Sequence, residues 1–122
     1  MKAIIVDDEQ LVCENLEIKL RQIPQITQTA MFINPYDALS YAEQNPIDIA
    51  FLDIEMPEVG GMEMARRLTS ITPSINIIFV TGHSKYAIDA FKVEASDYLL
   101  KPVTIENILG ALERLQKYYI QL

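Results

Sequence analysis

The 122-residue sequence predicts an α/β fold, (βα)5, in which a parallel sheet is covered by helices on both faces. Three observations carry this expectation. Short apolar runs alternate with longer amphipathic ones along the whole chain. Several of the short runs are apolar at consecutive positions rather than at every second one, as strands buried on both faces require. Half of the residues are hydrophobic and 22% are charged, a globular composition, and a chain this long can bury a continuous core without disulfides or a structural metal.

The first strand is expected at Ala3 to Val6, before "DDE". A helix follows in which Leu16, Leu20 and Ile23 recur after Val12 at the spacing of one buried face, and Pro24 then breaks it. Thr29 to Ile33 is the second strand. Asn34 and Pro35 start the next helix as N-cap and first helical residue, with Ala38, Leu39 and Ala42 on its apolar face. Ile47 to Leu52 is the third strand, and Gly60-Gly61 leads into a helix carrying Met64, Ala65 and Leu68. Ile75 to Val80 is the fourth strand, followed by a short, weakly amphipathic fourth helix from about Lys85 to Val93 with Ser84 as its cap. Asp97 to Leu100 is the fifth strand. The last helix begins at Thr104, with Glu106 in its first turn and Ile105, Ile108, Leu109, Leu112, Leu115 and Tyr119 on one stripe. No linker, repeat or change of composition divides the chain, so residues 1–122 are expected to form one domain.

The formal net charge of -7 disfavours direct binding to a nucleic-acid backbone, which requires clustered Lys and Arg. Cys13, the single cysteine, lies in a helical pattern and is expected to be a buried or half-buried free thiol. There is no signal-peptide pattern and no apolar run approaching the roughly 20 residues of a membrane span, so no membrane association and a cytoplasmic location are expected. The amphipathic pattern continues to Leu122 with no basic DNA-reading module after it, so either a fragment of a longer regulator or a stand-alone domain is expected.

Right-handed crossovers bring the C-terminal ends of all parallel strands to one edge, where ligands of open α/β sheets collect. Asp7 and Asp8 end the first strand, Asp53 the third, Thr81 the fourth and Lys101 the fifth. Each alone could simply mark where a strand meets water; the same coincidence at four strand ends is a site. Like charges about 4 Å apart repel by roughly 4 kcal/mol at an effective dielectric near 20, a cost that a hard divalent cation relieves. Mg²⁺ suits one or two carboxylates together with phosphate oxygens. Asp8 and Asp53 are the natural direct ligands, and Asp7 would orient the shell through water. Lys101 and Thr81 opposite the metal suit a phosphoryl group, with Asp53 as its nucleophile.

The set "VDDE", "FLDIEMPEVGGME", "FVTGH" and "DYLLKP", in this order over nearly the whole chain, resembles the receiver domain of bacterial two-component response regulators. The resemblance implies a flavodoxin-like fold with strand order 2-1-3-4-5, and phosphorylation of Asp53 by a sensor histidine kinase with Mg²⁺ required. It implies Asp8, Asp53 and the main-chain carbonyl of Glu55 as metal ligands, Asp7 as the outer acid and Lys101 as the phosphoryl-binding cation. Thr81 becomes a switch hydroxyl followed by Tyr98, and the Lys101-Pro102 bond is cis. The family reading also implies a phosphorelay signalling domain rather than a turnover enzyme, although its phosphotransfer and dephosphorylation are self-catalysed. His83 lies near the site in the family but is expected to be a solvated loop residue, and the Glu55 side chain to tune dephosphorylation. Gly60-Gly61 is expected to be an ordinary turn or a flexible loop that admits a kinase histidine.

"KYAIDAFKVEASDYLLKP" further resembles receivers of LytTR-type regulators. That implies transcription regulation, with output and homodimerisation through the fourth helix, fifth strand and last helix. The alternative is an Mg²⁺-dependent aspartyl-phosphate phosphohydrolase. It fits less well, because Glu55 stands where haloacid-dehalogenase-like enzymes need a second Asp, and the chain has no substrate-binding cap. An FMN carrier on the same fold would need a Ser/Thr/Gly-rich phosphate loop after the first strand.

Overall fold

The computed structural model describes residues 1–82 and 97–120, with side chains of the last helix described through residue 115. Strands β1 (Lys2–Val6), β2 (Gln28–Phe32), β3 (Ile49–Asp53), β4 (Asn76–Thr81) and β5 (Asp97–Leu100) form one sheet of order β2-β1-β3-β4-β5. Every neighbouring pair is parallel. The helices are α1 (Gln10–Leu20), α2 (Pro35–Gln44), α3 (Gly61–Ile71) and α4 (Ile105–Ile120). The expected helix from Lys85 to Val93, its Ser84 cap and His83 lie outside the described residues.

Alternation along each strand sorts the core into two layers. Ala3, Ile5, Ile49, Phe51, Ile78, Val80 and Leu99 face one side and pack with Cys13, Leu16 and Leu20 of α1 and Ile108, Ala111, Leu112 and Leu115 of α4. Ile4, Val6, Ala50, Leu52, Ile77 and Phe79 face the other side, against Ala38 and Ala42 of α2 and Met64, Ala65 and Leu68 of α3. Consecutive apolar residues are therefore required in β1, β3 and β4, because each face buries every second one.

Local details follow from side-chain chemistry. The Asn34 side chain accepts a hydrogen bond from the Tyr36 N–H, and Pro35 occupies the first turn of α2. Thr104 Oγ1 accepts one from the Asn107 N–H before α4. Two expected faces are corrected. The buried stripe of α1 is Cys13, Leu16 and Leu20, while Val12 is half-buried; Ile23 is buried beyond the helix, carried inward by the turn in which its N–H donates to the Leu20 carbonyl. On α4, Leu109 is 40% exposed and Ala111 takes the core position, because the stripe is narrower than the apolar residues in the sequence.

Candidate functional site

Parallel pairing puts Val6 beside Leu52 and Asp53 beside Val80, so the residues just after the apolar centres of β1, β3 and β4 emerge at one edge. The structure brings Asp7, Asp8 and Asp53 together there, each offering a carboxylate oxygen within 4.8 Å of the others. Lys101, after β5, reaches the same point. Its Nζ lies 3.1 Å from Asp7 Oδ2 and 3.6 Å from Asp53 Oδ1, and its N–H donates to the Thr81 carbonyl at 2.8 Å. The Lys101-Pro102 peptide bond is cis.

The three acids occupy different environments. Asp7 is buried, with Oδ1 accepting from the Glu9 N–H at 2.9 Å and Oδ2 from Lys101. Its two oxygens are thus engaged by the protein itself. Asp8 is exposed. Asp53 is buried, and its carboxyl is raised from an ordinary value of 3.8 to about 6. Burial is the largest cause, and the charges of Asp7 and Asp8 add to it, while Lys101 and the Glu55 N–H act in opposition. Burial alone would lower the Lys101 ammonium, but the Asp7 hydrogen bond and the charges of Asp53 and Asp7 outweigh it and raise Lys101 above the usual lysine value.

Hard carboxylate oxygens this close are the donor set that Mg²⁺ takes, and the set fits such an ion without nitrogen or sulfur ligands. Asp8 and Asp53 could bind it directly. Asp7, already held by Lys101 and Glu9, suits an outer position. Chemically, the arrangement offers a desolvated carboxylate nucleophile beside an ammonium and a place for a cation, a combination suited to phosphoryl chemistry.

Thr81 ends β4 and is 1% exposed. Tyr98 is half-buried on β5 and packs against the α2 and α3 layer. Glu55 is an exposed loop residue whose N–H bonds the Asp53 carboxylate. Glu9 is exposed at the N-cap position of α1.

Sequence reading misses two features here. The first is the close approach at Gly61, which does not depend on a left-handed backbone, since among the described residues no glycine has positive φ. A Cβ on Gly61 would lie 2.3 Å from the Asp53 carbonyl oxygen and 2.7 Å from Ile54 Cα, so glycine is what lets α3 start against the main chain of Asp53. The loop itself is anchored by buried Ile54, Met56 and Val59. Between Pro57 and Val59, Glu58 adopts a left-handed φ of 68° inside a γ-turn closed by the Val59 N–H and the Pro57 carbonyl at 2.8 Å. The second feature is Cys13, which is fully buried and donates to the Asp7 carbonyl oxygen at 3.3 Å. Its thiol is pushed up to about 11, by burial first and then by the charge of Asp7. The helical spacing that buries Leu16 also includes Cys13, so the position was readable, but its contact with the site was not.

Residues 3–113 match the family described as the response regulator receiver domain. The chain is 33% identical over 121 residues to the transcriptional regulatory protein YpdB of Escherichia coli K12, covering 99% of this chain and 50% of that protein. It is 35% identical over 117 residues to the sensory transduction protein LytT of Enterococcus faecalis, covering 96% and 48% respectively. The chain thus spans about half the length of these relatives. The narrower resemblance to LytTR-type receivers agrees with the presence of LytT among them. Among solved structures, the response regulatory domain of MrkE from Klebsiella pneumoniae superposes over the whole of both chains with a TM-score of 0.81 at 32% identity. The chemotaxis protein CheY4 of Vibrio cholerae shares the fold, with a TM-score of 0.81 at 23% identity over 93% of this chain and 96% of its own. No helix among the described residues is long and apolar enough to cross a membrane. With this sheet order, this edge and these relatives, the chain belongs to the response regulator receiver domain family of two-component systems.

Proposed function

We propose that Asp53 accepts a phosphoryl group from the phosphohistidine of a sensor histidine kinase, and that the chain works as a phosphorylation switch rather than a turnover enzyme. The observation that carries this reading is the placement of the Asp53 carboxylate: buried at a strand end, 3.6 Å from the Lys101 ammonium and clustered with Asp7 and Asp8. A carboxyl raised only to about 6 is still mostly ionised at neutral pH and therefore nucleophilic.

In the transfer, an Asp53 carboxylate oxygen bonds to phosphorus while the P–N bond to the donor imidazole breaks, its electron pair leaving on the ring nitrogen. Lys101, already beside Asp53, turns its ammonium toward the phosphoryl oxygens. Asp8, Asp53 and the main-chain carbonyl of Glu55 would hold Mg²⁺, with Asp7 orienting its water. When bound, the cation offsets negative charge on the carboxylates and on the transferring oxygens.

Phosphorylated Asp53 carries roughly two negative charges that attract hydrogen-bond donors. In this reading the Thr81 hydroxyl moves toward them, and Tyr98 follows by repacking against the layer it already touches. The output face comprises segment 85–93, β5 and α4, where Arg114 of α4 pairs with Asp97 at the start of β5. It would control an output domain or partner in transcription and could support a homodimer; the names and doubled length of the YpdB and LytT relatives support a regulatory output.

Acetyl phosphate and Mg²⁺ should add one phosphoryl group to the wild-type chain by intact mass and none to Asp53→Ala. Equal labelling of the variant would sink the assignment. Beryllofluoride should shift the Thr81 and Tyr98 resonances; silence at both, with a responding metal site, would remove the proposed switch route.

A further inference from the structure

We infer that Lys19 of α1 is a positioning residue for Lys101, acting through the main-chain carbonyl of Val103; the inference rests on the phosphoacceptor reading of Asp53. Lys19 Nζ donates to the Val103 carbonyl at 2.5 Å and to Asn15 Oδ1 at 2.7 Å. Val103 lies two residues beyond Lys101. On the other side of Lys101, its own N–H is held by the Thr81 carbonyl at 2.8 Å. The segment carrying the site's ammonium is therefore pinned from β4 on one side and from α1 on the other.

The packing explains why the second pin matters. A groove of about 340 Å³ separates α1 from this segment, with Leu11, Leu16, Val80 and Pro102 among its lining residues. The Val103 side chain packs in the core layer with Leu16 and Leu20 of α1, but the groove leaves the space beside Lys101 and Pro102 unfilled, so van der Waals contact does not hold the main chain there against α1. Lys19 and Val103 also line the groove, and their hydrogen bond spans it. A lysine in the last turn of α1 is favoured by the helix dipole wherever its tip points. The dipole does not explain why a half-buried ammonium reaches a carbonyl 84 residues away instead of extending into water. A charge-assisted bond to a carbonyl does. Without it, the 101–103 segment can relax toward the groove and carry the Lys101 tip away from Asp53. Because a 1 Å misplacement of a reacting group can cost about 100-fold, even a small drift would be visible kinetically.

The test uses the full chain with acetyl phosphate and Mg²⁺, reading labelling rate by intact mass. Lys19→Met, which keeps the stem and removes the ammonium, should slow labelling on the order of tenfold, and Lys19→Arg should recover most of that loss. In a Lys101→Met background, Lys19→Met should cause no further slowing, because a residue that acts through Lys101 has nothing left to position. In metal-free protein, Lys19→Met should also shift the Lys101 and Val103 amide resonances and leave those of Lys2 and Asp48 in place. An unchanged rate for Lys19→Met, or equal slowing with and without Lys101, overturns the inference. If Lys19→Met does not fold, Lys19→Leu, which likewise carries no donor, is held to the same outcomes. Amide shifts without labelling of the wild-type chain would remove the phosphoacceptor reading and the positioning role with it, whereas labelled wild type with no Lys19 effect would remove the positioning role alone.

Discussion

Strand β3 has an aspartate at each end, and the two do opposite things. Asp48, just before the strand, is exposed and surrounded by main-chain donors and acceptors. Its Oδ2 accepts from the Lys2 N–H at 2.7 Å, its carbonyl accepts from the Asn76 N–H and side chain, and its own N–H donates to the Lys2 carbonyl. It fastens β1, β3 and β4 together. Asp53, at the other end, is buried beside two more acids, and its carboxyl is raised to about 6. Five positions apart, one just before the strand and one ending it, the same side chain bonds neighbouring main chain at one end and places buried charge beside other acids at the other. The contrast shows what the site is made of: charge that the fold alone does not neutralise, held by a strand that the rest of the sheet secures.

The largest perturbation expected to break this contrast is Gly61→Ala. Alanine favours a helix over glycine by up to about 1 kcal/mol, but its Cβ would meet the Asp53 carbonyl. Forcing main chains apart costs about 1–3 kcal/mol, so thermal or urea unfolding should show net destabilisation. Amide shifts should be centred on Asp53 and Ile54 and should spare Asp48.

Next is Asp53→Asn, which should stabilise the metal-free chain by on the order of 1–2 kcal/mol at pH 7.5, measured by urea unfolding. The direction follows from an acid whose folded-state value lies above its unfolded one. Its favourable contribution is fully present below about pH 3.8 and is lost as pH rises through about 6. The advantage of the variant should therefore be near zero at the acid end and grow across that window. Millimolar Mg²⁺ should narrow the gap by stabilising the wild-type chain more than the variant.

Asp48→Ala should go the other way, losing about 1 kcal/mol for a missing hydrogen bond, with the same loss in the presence and absence of Mg²⁺. If Asp48→Ala were stabilising, the contrast between the strand ends would be wrong.

The smallest perturbation needs no mutation. A thiol raised from 9.0 to about 11 has roughly 100-fold less thiolate near neutral pH. Cys13 should resist iodoacetamide in the native chain and react readily in urea. Fast native alkylation would mean that the wall beneath Asp7 opens.

Most of the fold was legible before the structure. The consecutive apolar runs of strands buried on both faces and the helical periodicity of 3.6 leave few ways to bury Ile4, Phe51 or Met64, so all five strands were found within two residues of their observed ends. The misassigned positions share one cause. Val12 and Leu109 are apolar, but a helix buries only the arc that its neighbour covers, and the width and angle of that arc depend on docking; Ile23 is likewise placed by tertiary structure, buried by the turn after α1 rather than by the helix.

The site divides in the same way. Every parallel strand ends at the same edge, so the sequence alone determined that Asp7, Asp8, Asp53, Thr81 and Lys101 share a neighbourhood. Tertiary structure decided which of them touch. Lys101 bonds Asp7 across 94 residues, Lys19 holds the Val103 carbonyl across 84, and Gly61 lies against the main chain of Asp53. Spacing along a chain specifies the face on which a side chain emerges. Its partner depends on how helices and loops, each packed by many weak contacts, settle relative to one another.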